Sequence, residues 1–353
     1  MIRFRRLAAV TATIAAIGLT ATACGTTQVD AAAPTDAAGG TSEACAADTT
    51  ATSTEPVTIV DGVGRTVELD KPAERVAVLE WQQMEDTLTL CISPVAVSDV
   101  DGYSTYVSAE TLPEDVVDVG DRGEPDLDAL YGAEPDLIVV EAYSADDELI
   151  AQLEKGDVPV LATVGADASG QIENMKGVFS MIAEATGRTE RAEQVLADFD
   201  AHLAEAKEKV SSVDLPTNDF VFFDGWIQSG NVVIRPYGTG ALFTELGEQL
   251  GLSGAWTDEI DAAYGDGGVD PSYGLALTDI EGLTAVGDAN LIYAEGDPAD
   301  SYVVELEKSP IWTSLPAVED GRAFAFPGGI WGAGGPLSNE QAIDAFVEIL
   351  TAE

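Results

Sequence analysis

Arg75-Val76-Ala77-Val78-Leu79-Glu80 leads into a helix-like run from Met84 to Leu90, and Val95-Ala96-Val97-Ser98 follows at once. Both strands are short and apolar without polar alternation, which is how a strand reads when both of its faces are buried. The rhythm continues through a helix after Pro125, the strand Asp136-Leu137-Ile138-Val139-Val140, a helix near Asp147 to Glu154 and the strand Val158-Pro159-Val160-Leu161. Strands alternating with helices predict an α/β fold with a parallel sheet covered on both faces. Upstream, Val57 to Val60 and Arg65 to Leu69 flank Asp61-Gly62-Val63-Gly64 and read as a hairpin.

Downstream, a helical region runs from about Gln171 to Val210, broken by Gly187. Its Ala192, Val195, Leu196, Phe199, Leu203 and Val210 share one face. The strand–helix pattern then restarts, with Phe220 to Phe223 a strand, Gly240 to Leu250 a helix, Asp279 to Val286 a helix and Asn290 to Ala294 a strand. Two internal echoes point to duplication. Pro135-Asp136-Leu137-Ile138-Val139-Val140-Glu141 parallels Ala289-Asn290-Leu291-Ile292-Tyr293-Ala294-Glu295, and Val78-Leu79-Glu80-Trp81 parallels Phe222-Phe223-Asp224-Gly225-Trp226. A final helix carries Ser338 and Gln341 at capping-box spacing. Two α/β lobes with a helical bridge enclose a cleft, where small ligands bind.

Composition narrows the function. The 353 residues hold 63 acids against 16 bases, a net charge of -47, which disfavours nucleic acid and anionic lipid as partners. One histidine and three cysteines are too few for a conventional zinc, haem or copper centre, so no metal site or cofactor is expected. His202 reads as a solvated or half-buried helix histidine. There is no Gly-x-Ser-x-Gly elbow, phosphate loop or metal-ligand cluster, so catalysis, as by a cleft hydrolase using paired carboxylates, is the weaker alternative.

Residues 1–23 form an export signal, with Arg3, Arg5 and Arg6 before an apolar stretch that closes on Ala21-Thr22-Ala23-Cys24. The stretch is near the lower limit for a membrane span, and the small residues before Cys24 resemble a lipobox whose thiol is lipidated. Residues 24–55, rich in Ala, Thr, Ser, Asp and Gly, read as a flexible tether. Spacing gives no support to a bridge between Cys45 and Cys91, and two unpaired thiols are expected. Cys91 also stands at a helix end where glycine is usual. The remaining units are an N-terminal lobe at 56–168, the bridging helical region at 169–212 and a C-terminal lobe at 213–353.

The ordered set Leu79-Glu80-Trp81, Tyr103 to Ser108, Val119-Gly120-Asp121-Arg122-Gly123-Glu124-Pro125, Pro135 to Val139, Ala255-Trp256, Pro310-Ile311-Trp312 and Trp331 to Ser338 resembles the iron-siderophore binding proteins of bacterial ABC importers, and most of all their ferric-hydroxamate branch. The resemblance spans residues 56 to 353. It implies a class III periplasmic-binding-protein architecture, two Rossmann-like lobes joined by one long helix with little closure. It also implies a monomer held at the outer face of the cell membrane by its lipid anchor, delivering a ferric siderophore to an ABC permease and its ATPase. The same architecture with cobalamin or haem is the alternative.

A ferric siderophore satisfies its own metal, so the protein need supply only aromatic walls and donors to the chelate oxygens. By resemblance Arg122 contacts those oxygens, as a guanidinium can in parallel bonds; a local ion pair with Asp121 or Glu124 is the other reading. Tyr143, just past the Leu137 to Val140 strand, matches a family tyrosine that bonds to the same oxygens, and Tyr106 stands where the hydroxamate branch has a pocket tryptophan. Trp331, in a loop among Gly329, Gly332, Gly334 and Gly335, is the best wall from the second lobe. Trp81, Trp226, Trp256 and Tyr273 divide evenly between ligand contact and core packing. Arg235, read in a turn, is a second donor or a plain surface arginine. The resemblance further implies permease docking through Asp128 and Glu281, although helix-dipole placement accounts for both equally well. Ser104 replaces a family arginine and Ala333 a family aromatic, which implies a wider or reshaped pocket.

Overall fold

The computed structural model describes residues 43–294 and 301–352, which fall within one compact unit, Gly39–Glu353. The export signal, Cys24 and Glu295 lie outside the described residues. Strands Val57–Val60 (β1) and Thr66–Leu69 (β2) form the expected hairpin, with Val57 opposite Leu69. Val76–Val78 (β3), Ala96–Val97 (β4), Val117–Asp118 (β5), the small antiparallel pair Gly120–Asp121 (β6) and Glu124–Pro125 (β7), Leu137–Glu141 (β8) and Val160–Thr163 (β9) follow. The first-lobe sheet has the order β5-β4-β3-β8-β9 and is parallel throughout. Successive residues enter two different cores. Val76, Val78, Leu137, Val139 and Leu161 pack on one face, and Ala77, Leu79, Ala96, Ile138, Val140 and Ala162 on the other, which is why these strands show no polar alternation.

The second lobe holds Asp219–Gln228 (β10), Asn231–Pro236 (β11), Ser253–Gly254 (β12), Asn290–Ala294 (β13) and Ala323–Phe326 (β14), in the order β11-β10-β13-β14 with β12 beside the start of β10. β10, β13 and β14 run parallel in the same sequence as β3, β8 and β9 of the first lobe, so the internal echoes mark equivalent strands. Here too the faces divide, Phe220, Phe222, Ile292 and Phe326 entering one core and Val221, Phe223 and Leu291 another. β10 is longer than its apolar run. It continues to Gln228, turns through Ser229 and Gly230, both at positive φ, and returns antiparallel as β11. The helix expected from Asp279 shrinks to a 3₁₀ segment, Gly282–Val286.

The bridging region is a helical hairpin, Gln171–Ala185 and Thr189–Ser211. Ile172 and Met175 share a second-lobe core with Phe199, Ala206 and Val210, whereas Val178, Phe179, Ile182, Ala185, Ala192 and Val195 belong to a first-lobe core. The chain therefore crosses between the lobes and back. Gly187 makes the turn possible, since it sits at φ +71° and a Cβ would meet the Ser53 carbonyl at 2.8 Å.

Two expectations about the tether fail for its described part. Residues 45–53 are tied to the first lobe, because the buried Arg188 guanidinium donates to the carbonyls of Leu90 and Thr50 and to Thr52 Oγ1, and pairs with Asp48. Ser53 donates to the Gly187 carbonyl at 2.8 Å. Cys45 and Cys91 are joined in a disulfide across a separation of 46 residues; their distance in sequence hid a closeness that Arg188 creates. Cys91 has the left-handed φ of 65° expected at its helix end. Closing a loop of this length restricts the unfolded chain by about 4 kcal/mol. Replacing both cysteines by serine is expected to lower unfolding free energy by roughly that amount in denaturant titration, and an unchanged midpoint would show that the bridge carries no stability.

Candidate ligand-binding site

A cavity of about 550 Å³ lies where the C-terminal ends of β3 and β8 and the middle of β10 meet the Pro327 to Ala333 loop, the ends of β3 and β8 being where open α/β sheets bind ligands. At its first-lobe wall, Glu80 ends the apolar run of β3 and starts the Trp81–Thr89 helix, where its carboxylate accepts from the Trp81 amide at 2.9 Å. The same carboxylate holds Arg122 Nη1 at 2.5 Å, and Asp99 stands 3.8 Å from Arg122 Nε. The guanidinium carbon sits 3.9 Å above the Trp81 ring. Arg122 is therefore paired, but with Glu80 and Asp99 rather than with its sequence neighbours Asp121 and Glu124. Trp81 in turn stacks on Tyr106 at 5.5 Å and meets Trp331 edge-on at 4.7 Å.

The second-lobe wall repeats the motif. Asp224 of β10 faces Arg235 of β11 in register and binds it through two contacts of 2.9 and 2.5 Å, with Tyr237 donating to Asp224 at 3.3 Å and Arg235 5.7 Å from the Trp226 ring. Arg235 thus belongs to a strand, not a turn. Each lobe presents an acid, an arginine and a tryptophan where the apolar run of its equivalent strand ends, because Leu79-Glu80-Trp81 and Phe223-Asp224-Gly225-Trp226 follow equivalent runs.

Between the walls, Glu141 at the end of β8 accepts from the Tyr273 hydroxyl at 3.0 Å and is hydrogen-bonded to Tyr143. Burial pushes its carboxyl up to about 6, the Glu80 charge adds to the rise, and Tyr273, Tyr143 and Arg122 oppose it. Burial likewise raises the Tyr273 and Tyr143 hydroxyls, with Glu141 adding to both.

Of the candidates from sequence, Arg122, Tyr106, Trp331, Trp81, Trp226, Tyr273 and Arg235 line the cavity. Tyr143 does not, but touches it through Glu141 and Tyr273 and is 48% exposed. Trp256 is a correction. It is 2% exposed within a second-lobe core and its Nε1 donates to Asp261. Asp128 and Glu281 are exposed away from the cavity, in a first helical turn and before a 3₁₀ segment. His202 of the helical bridge lies away from the cavity, its Nε2 3.0 Å from Asp344 Oδ1. Sequence reasoning passed over Glu80, Glu141 and Asp224 among so many acids; the signal that locates them is their position at the end of an apolar strand run.

Ser338 is the other correction. The C-terminal helix, Pro336–Thr351, has Gly335 at its N-cap with no side-chain cap. Ser338 instead donates from its amide and hydroxyl to the buried Glu85 of the first lobe at 2.8 and 2.5 Å, and Gly335 donates to it at 3.1 Å. Among the described residues no His, Cys, Asp and Glu are grouped to hold a metal ion, and no helix is long and apolar enough to cross a membrane. Carboxyl NMR is expected to give Glu141 a midpoint of about 6, and Tyr273→Phe a higher one through loss of a donor to the anion; a wild-type midpoint near the ordinary ~4.3 would contradict this environment.

The family model described as periplasmic binding protein matches residues 76–328. The iron(3+)-hydroxamate-binding protein FhuD of Escherichia coli strain K12 is 26% identical over 266 residues, covering 75% of this chain and 82% of that protein. Among solved structures, Vibrio cholerae FhuD with bound Fe3+-Desferal aligns with a TM-score of 0.65 at 24% identity, over 79% of this chain and 98% of the other. Bacillus subtilis FeuA, complexed with ferri-bacillibactin, aligns with a TM-score of 0.62 at 22% identity, over 83% and 98%. At these identities the structural likeness establishes a shared fold, and with the family match spanning both sheets, this chain belongs to the periplasmic binding protein family.

Proposed function

We propose that this protein captures a ferric siderophore, of hydroxamate type, in the cavity between its lobes and delivers it to an ABC permease, without catalysing a reaction. The observation that carries the reading is the pair of acid–arginine–tryptophan groups facing one cavity from two lobes. A guanidinium fixed by a carboxylate and an indole is pre-oriented, so it donates to chelate oxygens at little conformational cost. Tyr106 and Trp331, backed by the buried Trp81, form an aromatic surface for the apolar exterior of a chelate. The relatives named for iron(3+)-hydroxamate and Fe3+-Desferal support the same ligand class.

Lipidation at Cys24 would hold the monomer at the outer face of the cell membrane. Asp128 and Glu281 would meet basic side chains on the permease.

Titration with a ferric tris-hydroxamate is expected to quench tryptophan fluorescence, with the iron-free chelator binding far more weakly. Arg122→Ala is expected to weaken binding about 10- to 100-fold, the worth of charge-assisted hydrogen bonds. Equal affinity for iron-loaded and iron-free chelator would end the siderophore reading. Asp128→Lys with Glu281→Lys should slow uptake into cells while leaving ligand affinity intact; a large fall in affinity would count against docking.

A further inference from the structure

Resting on the siderophore reading, we propose that the cavity also selects its ligand by charge, favouring ferric tris-hydroxamates that carry a free ammonium, which pairs with Glu141, over polyanionic chelates. The charges lining the cavity are Glu80, Glu141 and Asp224 against Arg122 and Arg235. Two of the three carboxylates are matched, Glu80 by Arg122 and Asp224 by Arg235. Glu141 differs. Its partners are the neutral hydroxyls of Tyr273 and Tyr143, and among the described residues no ion pair reaches it. Arg122 exerts a coulombic influence on it, and that guanidinium already faces Glu80 and Asp99. The cavity therefore carries one uncompensated negative charge.

The surroundings reinforce this sign. Asp99 stands beside Arg122 and Asp270 acts on Tyr143, while the whole chain carries a net charge of -47. Such a field draws cations inward and repels anions before contact. Ferric iron with three hydroxamates is neutral, so the pendant groups set the charge of the complex. A tris-catecholate core is a trianion, and the two guanidinium charges it would meet are already offset by Glu80 and Asp224. A pendant ammonium, by contrast, supplies the counter-ion that Glu141 lacks. Gly165 leaves the room. A Cβ there would lie 2.0 Å from Glu141 Oε2, so a larger residue would displace the carboxylate from the cavity wall.

The test compares ligands with identical iron coordination, ferric Desferal, whose amine is free, and its N-acetylated form, with a ferric tris-catecholate as the anionic probe. The ammonium form is expected to bind about tenfold tighter than the acetylated form, and the tris-catecholate weakest. Glu141→Gln should shrink the ammonium preference to about twofold or less. Glu141 faces Glu80, Arg122, Tyr143 and Tyr273. Its carboxyl gains a proton as pH falls through about 6, so in wild type the ratio between the two hydroxamates should fall below that pH and be full above it. Equal affinities in wild type, or a preference that survives both Glu141→Gln and acid pH, would overturn charge selection while leaving the siderophore reading intact. Failure of both hydroxamates to bind would overturn the two together.

Discussion

Glu85 holds the two lobes in register. It lies fully within the protein on the first-lobe helix Trp81–Thr89, yet its hydrogen bonds come from Gly335, Leu337 and Ser338 at the start of the C-terminal helix. A buried carboxylate is costly unless satisfied, and here helix-terminal amides satisfy it. Losing this contact would leave a desolvated acid in one lobe and unpaired amides in the other. Burial raises the Glu85 carboxyl despite those bonds, and raises that of neighbouring Asp86 further, with the Glu85 charge adding. Gly335 has no space for a side chain, since a Cβ would lie 2.2 Å from Asp86 Oδ1.

This clasp shapes the cavity because the Pro327 to Ala333 loop runs directly into it. Trp331, a second-lobe residue in sequence, packs on the first-lobe core beside Trp81, and Gly329 accepts from the Ser108 amide. Together with the helical hairpin that crosses between the cores, the loop ties the lobes at several separate points. A cleft held in this way is largely preformed, which limits the ordering cost of any binding there.

The paired acid–arginine–tryptophan groups show how duplication makes a site. The apolar runs of equivalent strands end at equivalent places, so two lobes that face each other bring two copies of one local motif to one cavity. Each arginine is supplied from a different local structure, Arg122 from the turn between β6 and β7 and Arg235 from β11. The similarity thus resides in the acid and the tryptophan, and each guanidinium is recruited by them.

The apolar runs of β3, β8, β10 and β13 were legible because burial on both faces leaves an unbroken hydrophobic signature, and their repetition marked two lobes. The aromatic and arginine candidates were legible because bases are scarce and because glycine-rich loops cannot bury a tryptophan in regular packing. The Ser229–Gly230 turn into β11 was also written in the chain, but the polar outer half of β10 concealed it. Other features arise only from distant segments meeting in space. Arg188 gathers the strap that brings Cys45 to Cys91, Ser338 turns from its own helix to Glu85, and Trp256 sinks into a core. The sequence by itself determined which segments are strands and which residues are rare enough to matter. The tertiary structure decided which of 63 acids is matched by a cation and which is not, because the charge balance of a buried site is set by neighbours in space.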